Sequence, residues 1–179
     1  MQRISTTVIG LVGEGARACA EELGRASNIR VELPDPAAAP LERATAAWRA
    51  ATGTRLPYLV HDADPLALVA DAWVRRSDEQ GPAGELEVAI GETAGRWRAR
   101  TIELPDYYLL LDPASWTPTR RHWYLGLLHR AAPNRVVPVP ADATAGKVGA
   151  SIASLASGRW WPDLDRLLAD VDRVVPDRV

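Results

Sequence analysis

The stretch that most constrains the fold is Val8 to Leu23, V-I-G-L-V-G-E-G-A-R-A-C-A-E-E-L. It opens on aliphatic residues with little polar interruption, the pattern of a strand buried on both faces. Glycines follow at Gly10, Gly13 and Gly15, and from Ala16 onward the residues favour a helix. Glycine lets a chain bend sharply and lets other groups approach the backbone. A helix starting at such a bend aims unpaired N–H groups and the positive end of its dipole into the turn. The stretch therefore predicts a strand, a tight turn and a helix N-terminus suited to an anion.

The rest of the chain repeats this alternation. Asn28 to Leu33, Leu56 to Val60, Tyr107 to Leu111 and Arg135 to Val139 read as strands, in addition to Thr6 to Val12. Ala16 to Arg25, Leu41 to Ala51, Leu66 to Arg76, Thr119 to Arg130, a segment through Lys147 to Leu155, and Leu164 to Val174 read as helices. Thr117-Pro118 has the form of an N-cap followed by proline at the first helical position, and Asp64-Pro65 the same form earlier. Between them, E-L-E-V-A-I (Glu85 to Ile90) and R-W-R-A-R-T-I-E-L (Arg96 to Leu104) alternate polar and apolar residues across Gly91 to Gly95, which predicts an antiparallel hairpin. The expected architecture is one α/β domain over residues 1–179. It has three layers, a mainly parallel sheet with helices on both faces, and a central antiparallel hairpin.

Two phosphate-binding patterns overlap on the opening turn. Gly10 and Gly15 fit the glycines of G-x-x-x-x-G-K-[ST], with Ala16 in place of the lysine and Arg17 in place of the hydroxyl residue. Gly13, Gly15 and Ala18 fit G-x-G-x-x-G/A, and Glu32 lies near the end of the next strand at about the spacing of a ribose-binding acid. Arg17 offers charge as a rigid fork, whereas Glu14 sets a carboxylate beside the same turn. Tyr107 to Leu111 ends in Asp112, an apolar strand closed by an acid. On Gly10, Gly13, Gly15 and Asp112, and on the order of elements, the chain resembles small P-loop GTPases and related NTPases. That resemblance implies a P-loop-like or Rossmann-like sheet, with Asp112 near Mg²⁺ and a nucleotide, with or without Mg²⁺, on the glycine turn. With Ala16 and Arg17 in the loop, and no Asn-Lys-x-Asp after R-V-V-P-V, it implies binding without hydrolysis or guanine specificity.

Other residues open further readings. His61-Asp62-Ala63-Asp64 follows a strand, where open α/β sheets place their sites. Asp62, Asp64 and Asp112 at strand ends are the candidate metal ligands of a small Mg²⁺-dependent enzyme. Seven tryptophans and no phenylalanine stand in the chain. Trp116 and Trp123 accompany Arg120 and Arg121 around the predicted basic helix, and Trp160 and Trp161 follow Arg159; these either fill core volume in place of phenylalanine or form a candidate surface for another protein.

Composition narrows the classes. A formal net charge of −2 gives no electrostatic case for nucleic acid. Lys147 is the single lysine, and with abundant alanine this points to a high-GC bacterial genome. Cys19 stands alone, which leaves no disulfide framework or cysteine zinc site. No apolar run approaches the ~18 residues of a membrane span, and M-Q-R-I-S-T-T carries no signal-type apolar region, so a cytoplasmic address is expected. The leading expectation is a non-catalytic, P-loop-like regulatory protein that works through protein–protein contact. A dinucleotide-binding protein and a small Mg²⁺ enzyme are the alternatives.

Overall fold

A computed structural model describes residues 6–155 and 161–171. The elements run β1 (Thr7–Val12), α1 (Ala16–Leu23), β2 (Ile29–Glu32), α2 (Pro40–Gly53), β3 (Tyr58–His61), α3 (Ala67–Ser77), α4 (Glu85–Arg98) and β4 (Tyr107–Leu111). A continuous helical segment then comprises α5 (Pro118–Arg121), a π-helix (His122–Leu128) and α6 (His129–Ala131). It leads to β5 (Val136–Val139), α7 (Ala145–Ala153) and α8 (Leu164–Val171).

The sheet has five strands in the order β2-β3-β1-β4-β5, and every pairing is parallel. β1 is the middle strand, with Val8 opposite Leu59 of β3 and Leu11 opposite Leu109 of β4. Its side chains split between two cores. Ile9 and Leu11 pack with α1 and α7 residues Ala16, Ala20, Leu23, Val148 and Ile152. Val8 packs with Ala50 and Ala51 of α2, and Val12 with Leu66, Val69 and Trp73 around α3. Neighbouring β4 divides the same way, with Leu109 on the first side and Tyr108 and Leu110 on the second. This alternation on a strand apolar throughout is what covering helices on both faces require. The mainly parallel three-layer expectation therefore stands.

The antiparallel hairpin does not form. Glu85–Arg98 is one helix, α4. A half-buried strand over Glu85 to Ile90 would bury Leu86 and Val88 on one face. Instead Leu86 is buried while Val88 is 61% exposed. The residues that go inward are Leu86, Ala89, Thr93 and Ala94, at the i, i+3, i+7, i+8 spacing of a helix. Leu86, Ala89 and Ala94 join a core with Trp73 of α3 and Leu164 and Leu168 of α8. Gly91 and Gly95, read as turn residues, lie on the exposed helix face. Six alternating residues did not outweigh a fourteen-residue helical pattern with Glu85 and Glu87 in its first turn and Arg96 and Arg98 in its last.

Thr117 caps α5 as expected, its hydroxyl accepting the Arg120 N–H at 3.3 Å. Most of the tryptophan expectation is redirected inward. Trp123 and Trp73 are fully buried, with ring centroids 5.6 Å apart. Trp161 is half-buried, donates Nε1–H to the Pro105 carbonyl at 2.8 Å and meets Tyr108 edge-on. Trp160 lies outside the described residues, as does the stretch of the last predicted helix beyond Val171. With no phenylalanine in the chain, indole rings fill core volume.

Two glycines carry the bend after β1. Gly13 has φ +126°, and a Cβ on it would come within 2.5 Å of the Leu111 carbonyl oxygen. Gly15 has φ +76° and meets nothing within 4 Å. Gly13→Ala is expected to cost more than about 2 kcal/mol, combining backbone strain with a clash against backbone. Gly15→Ala is expected to cost only about 1 kcal/mol, since strain alone acts there. Urea midpoints of the two variants give the comparison, and equal losses would contradict it.

Candidate functional site

The central strand reaches the C-terminal edge of the sheet between β3 and β4. From β1 the chain goes to one side for β2 and β3, and later to the other for β4 and β5. A crevice opens at such a reversal because successive connections diverge from it. A cavity of about 640 Å³ lies there, lined by the β1 end, Gly13, Gly15 and the first turn of α1, with α2, α3 and the π-helix contributing. That size is within the range of about 300–1,000 Å³ typical of small-molecule sites.

Helices that follow parallel strands begin at this edge, so their first turns face the cleft. Arg17 on α1, Arg43 on α2 and Arg120 on α5 all line it. Asp62, just past β3, stands between two of them. Its side chain is 8% exposed, with Oδ2 3.2 Å from Arg17 Nη1 and Oδ1 3.1 Å from Arg43 Nη2. Arg17 also donates to the carbonyls of Pro34 at 3.1 Å and Leu33 at 3.4 Å, so one side chain ties α1 to the end of β2 and the end of β3. Arg43 Nη2 donates to the Asp62 main-chain oxygen at 3.1 Å. Two guanidinium groups thus meet one buried carboxylate; Arg17 is the more exposed of the two and also lies 3.9 Å from Glu21, another residue of the cleft lining. Arg120 sits over the Trp116 ring at 5.7 Å and pairs with Asp71 at 3.7 Å, both partners of that pair being about half exposed.

The N-terminus of α1 is open. Gly15 takes the left-handed conformation at the N-cap without a side-chain cap, and its carbonyl accepts the Cys19 N–H at 2.9 Å. The Ala16 N–H turns back to the Gly13 carbonyl at 3.3 Å, while the N–H groups of Arg17 and Ala18 make no backbone hydrogen bond. Such unpaired first-turn donors, with the positive end of the helix dipole, attract anions.

A second buried carboxylate reaches the cleft in a different state. Asp64 Oδ1 accepts from Leu66 N–H at 2.8 Å and Tyr108 O–H at 2.7 Å, and Oδ2 accepts from Tyr124 O–H at 2.7 Å. Burial pushes its carboxyl up from the ordinary range, and the hydrogen bonds from Tyr124, Leu66 and Tyr108 only oppose that. The same burial, with Asp64 beside them, pushes both tyrosine hydroxyls well above their usual value. Asp64 thus serves the N-terminal turn of α3, as its place before Pro65 suggests, and also fastens the π-helix to that turn.

The predicted site residues divide accordingly. Gly13, Gly15, Arg17, Asp62 and Asp64 line the cleft, as does Arg120. Gly10 lies inside β1, paired with His61 and Tyr108, and the turn is only the three residues between Val12 and Ala16. Glu14 is exposed and outside the lining. Glu32 ends β2, which β3 separates from β1, and it lies 3.8 Å from Arg30 of its own strand. Asp112, at φ +43°, gives its N–H to Val139 and its carbonyl to Ser115, outside the cleft lining. Among the described residues no three His, Cys, Asp or Glu side chains group to hold a metal. Asp62 is paired with arginines, and Asp64 with two hydroxyls and an amide. Sequence reasoning missed Arg43, Asp71 and Tyr124. A usable signal for Arg43 was its place in the first turn of a helix that follows a strand.

His61 lies under this edge, 3% exposed, its Nδ1 accepting the Ala63 N–H at 3.3 Å. Burial lowers its pKa from 6.5 to about 4, against an opposing pull from Asp62. Below pH 6.5 the unfolded chain takes up a proton that the folded chain refuses until about pH 4. Stability held above pH 6.5 therefore falls as pH decreases through that window, by about 2 kcal/mol between pH 7.5 and 5. Glu103, raised to about 7 by burial, acts oppositely over part of the same range. His61→Gln isolates the histidine: urea unfolding at both pH values should show the wild type losing about 2 kcal/mol more than the variant. Equal losses would remove the buried neutral histidine from the account.

Comparison with known proteins adds no assignment, for no protein-family model matches the chain and no curated protein matches it.

Proposed function

We infer that this chain is a ligand-binding protein whose cleft takes a small phosphate-bearing anion without hydrolysing it. The observation that carries the reading is the convergence, in one cleft at the sheet's C-terminal edge, of an uncapped helix N-terminus and two arginines on a buried carboxylate. Free amides and guanidinium forks suit phosphate oxygens geometrically. The peripheral pair of Arg120 with Asp71 is exposed and contributes little on its own, so Arg120 can turn to a ligand at small cost.

The resemblance to P-loop proteins supports the same kind of ligand with altered chemistry. Ala16 offers no ammonium, Arg17 offers no hydroxyl, and Asp112 is outside the cleft lining. The groups that hold Mg²⁺ and polarise the terminal phosphate in those enzymes thus lack counterparts at the matching positions. A binding and regulatory role follows more readily than turnover. The dinucleotide alternative is weakened by strand order, because its ribose acid belongs on the strand beside β1 and Glu32 stands one strand further out. The protein-partner reading loses Trp123 to the interior and part of Trp161, and retains Trp116, Arg120 and Arg121 at the surface.

Thermal unfolding with pyrophosphate or ADP tests the reading. Ligand at 100 times its Kd should stabilise the fold by about 2.7 kcal/mol, a rise of several degrees in Tm. Arg120→Ala should weaken binding about tenfold while leaving the free protein's Tm within about 1 °C, since its ion pair is exposed. ATP should be turned over no faster than in buffer. No shift with either ligand at about 10 mM would sink the proposal.

A further inference from the structure

We propose that the outer edge of β2 pairs antiparallel with β2 of a second copy of this chain, joining the two five-stranded sheets into one. An open sheet ends on two strands whose outward N–H and C=O groups invite a further strand. Here those end strands are β2 and β5, and the chain treats them differently. The Asp112 N–H bonds the Val139 carbonyl at 2.9 Å, which with the register of β4 and β5 turns Val137 and Val139 toward β4 and Val136 and Pro138 outward. Pro138 is exposed and has no N–H, so this edge is blocked where a new strand needs a donor. At the other end the Tyr58 N–H bonds the Asn28 carbonyl at 3.4 Å, which with the register of β2 and β3 turns Arg30 toward β3 and Ile29 and Val31 outward. The Ile29 N–H is taken by the Ala26 carbonyl at 3.2 Å. Val31 presents both its N–H and its C=O outward, and among the described residues no strand lies beyond it.

The side chains beside Val31 select the partner strand. Arg30 and Glu32 flank it on one face of β2, 3.8 Å apart and 40% and 30% exposed. In an antiparallel pair centred on Val31, the two valines exchange both main-chain bonds. Arg30 of each copy then stands directly opposite Glu32 of the other, where opposite charges attract across strands. The order of charges therefore complements itself on reversal, as a two-fold contact between identical strands requires. Parallel pairing of the same strands in register would set arginine against arginine and glutamate against glutamate. The two-fold runs perpendicular to the sheet, so each face continues into the same face of the other copy. That brings α1, packed with Ile29 and Val31, and α2, on the opposite face, alongside their counterparts. An edge of four residues is short, so the dimer is weak and concentration-dependent. Strand direction reverses across the contact, and the two clefts open at opposite edges of the joined sheet.

Sedimentation velocity on the full chain, from about 5 to about 500 µM, tests this. The weight-average mass should rise from 19.4 kDa toward twice that value as concentration increases. Arg30→Glu and Glu32→Arg each set like charges opposite one another at two places in the dimer, and each should weaken it about tenfold. Mixed in equal amounts, the two variants should associate with each other to within about threefold of the wild type, because each supplies the charge the other lacks. Val31→Pro removes the outward N–H and should leave a monomer. If that variant does not fold, the charge variants decide the matter alone. A wild-type mass that stays at 19.4 kDa throughout overturns the proposal and leaves the edge to a strand of a different protein. So does a dimer unmoved by either charge variant or by folded Val31→Pro, or a mixture that associates no more tightly than each variant alone.

Discussion

β1 has apolar side chains on both faces and hydrogen-bonding groups along both edges. Neither demand can be met by water once the strand is buried, so two neighbouring strands and two helical layers must assemble around it. The rest of the architecture follows from that constraint. β3 and β4 satisfy its edges, α1 and α7 cover Ile9 and Leu11, and α2 and α3 cover Val8 and Val12. Because the pairings are parallel, every strand ends at the same edge and the helix that follows begins there. A strand in the middle of the sheet, with connections departing to either side, leaves its own C-terminal end uncovered. The cleft is thus a consequence of strand order before it is a feature of any side chain.

Within that cleft the two buried aspartates, two residues apart, do opposite things. Asp62 is matched by charge, and Arg17 and Arg43 bring α1, α2 and the end of β2 to it. Asp64 is matched by neutral donors, two tyrosine hydroxyls and one amide, which bring β4 and the π-helix to the start of α3. The first arrangement leaves Arg17 partly exposed at the cleft wall. The second is complete in itself. That difference is why Asp62 belongs to the proposed binding chemistry and Asp64 to the frame that shapes its wall.

The strand–turn–helix opening was legible from residues because its periodicity and its glycines act locally. Thr117 as a cap was legible for the same reason. The hairpin misreading arose where a short alternating run is compatible with either period, and burial against α3 and α8 made the choice. Sequence leaves Trp123 open between a core and a surface role, because an Arg–Trp neighbourhood says nothing about which way a ring points, and the structure buries it. The absence of phenylalanine was the clue that tryptophan must fill the core.

The sequence by itself determined the mainly parallel α/β class, the glycine bend after the first strand and the acidic residues at strand ends. Each of these rests on local periodicity or on the backbone freedom of single residues. Only the tertiary structure decided which acid faces the bend. β3 rather than β2 lies beside β1, so Asp62 is drawn into the cleft and Glu32 is set apart. It alone brought Arg43 against a carboxylate nineteen residues further on, and Tyr124 against one sixty residues before it. Strand order is fixed by how the helical layers pack over the whole sheet, a sum of many weak contacts that no single stretch of sequence contains.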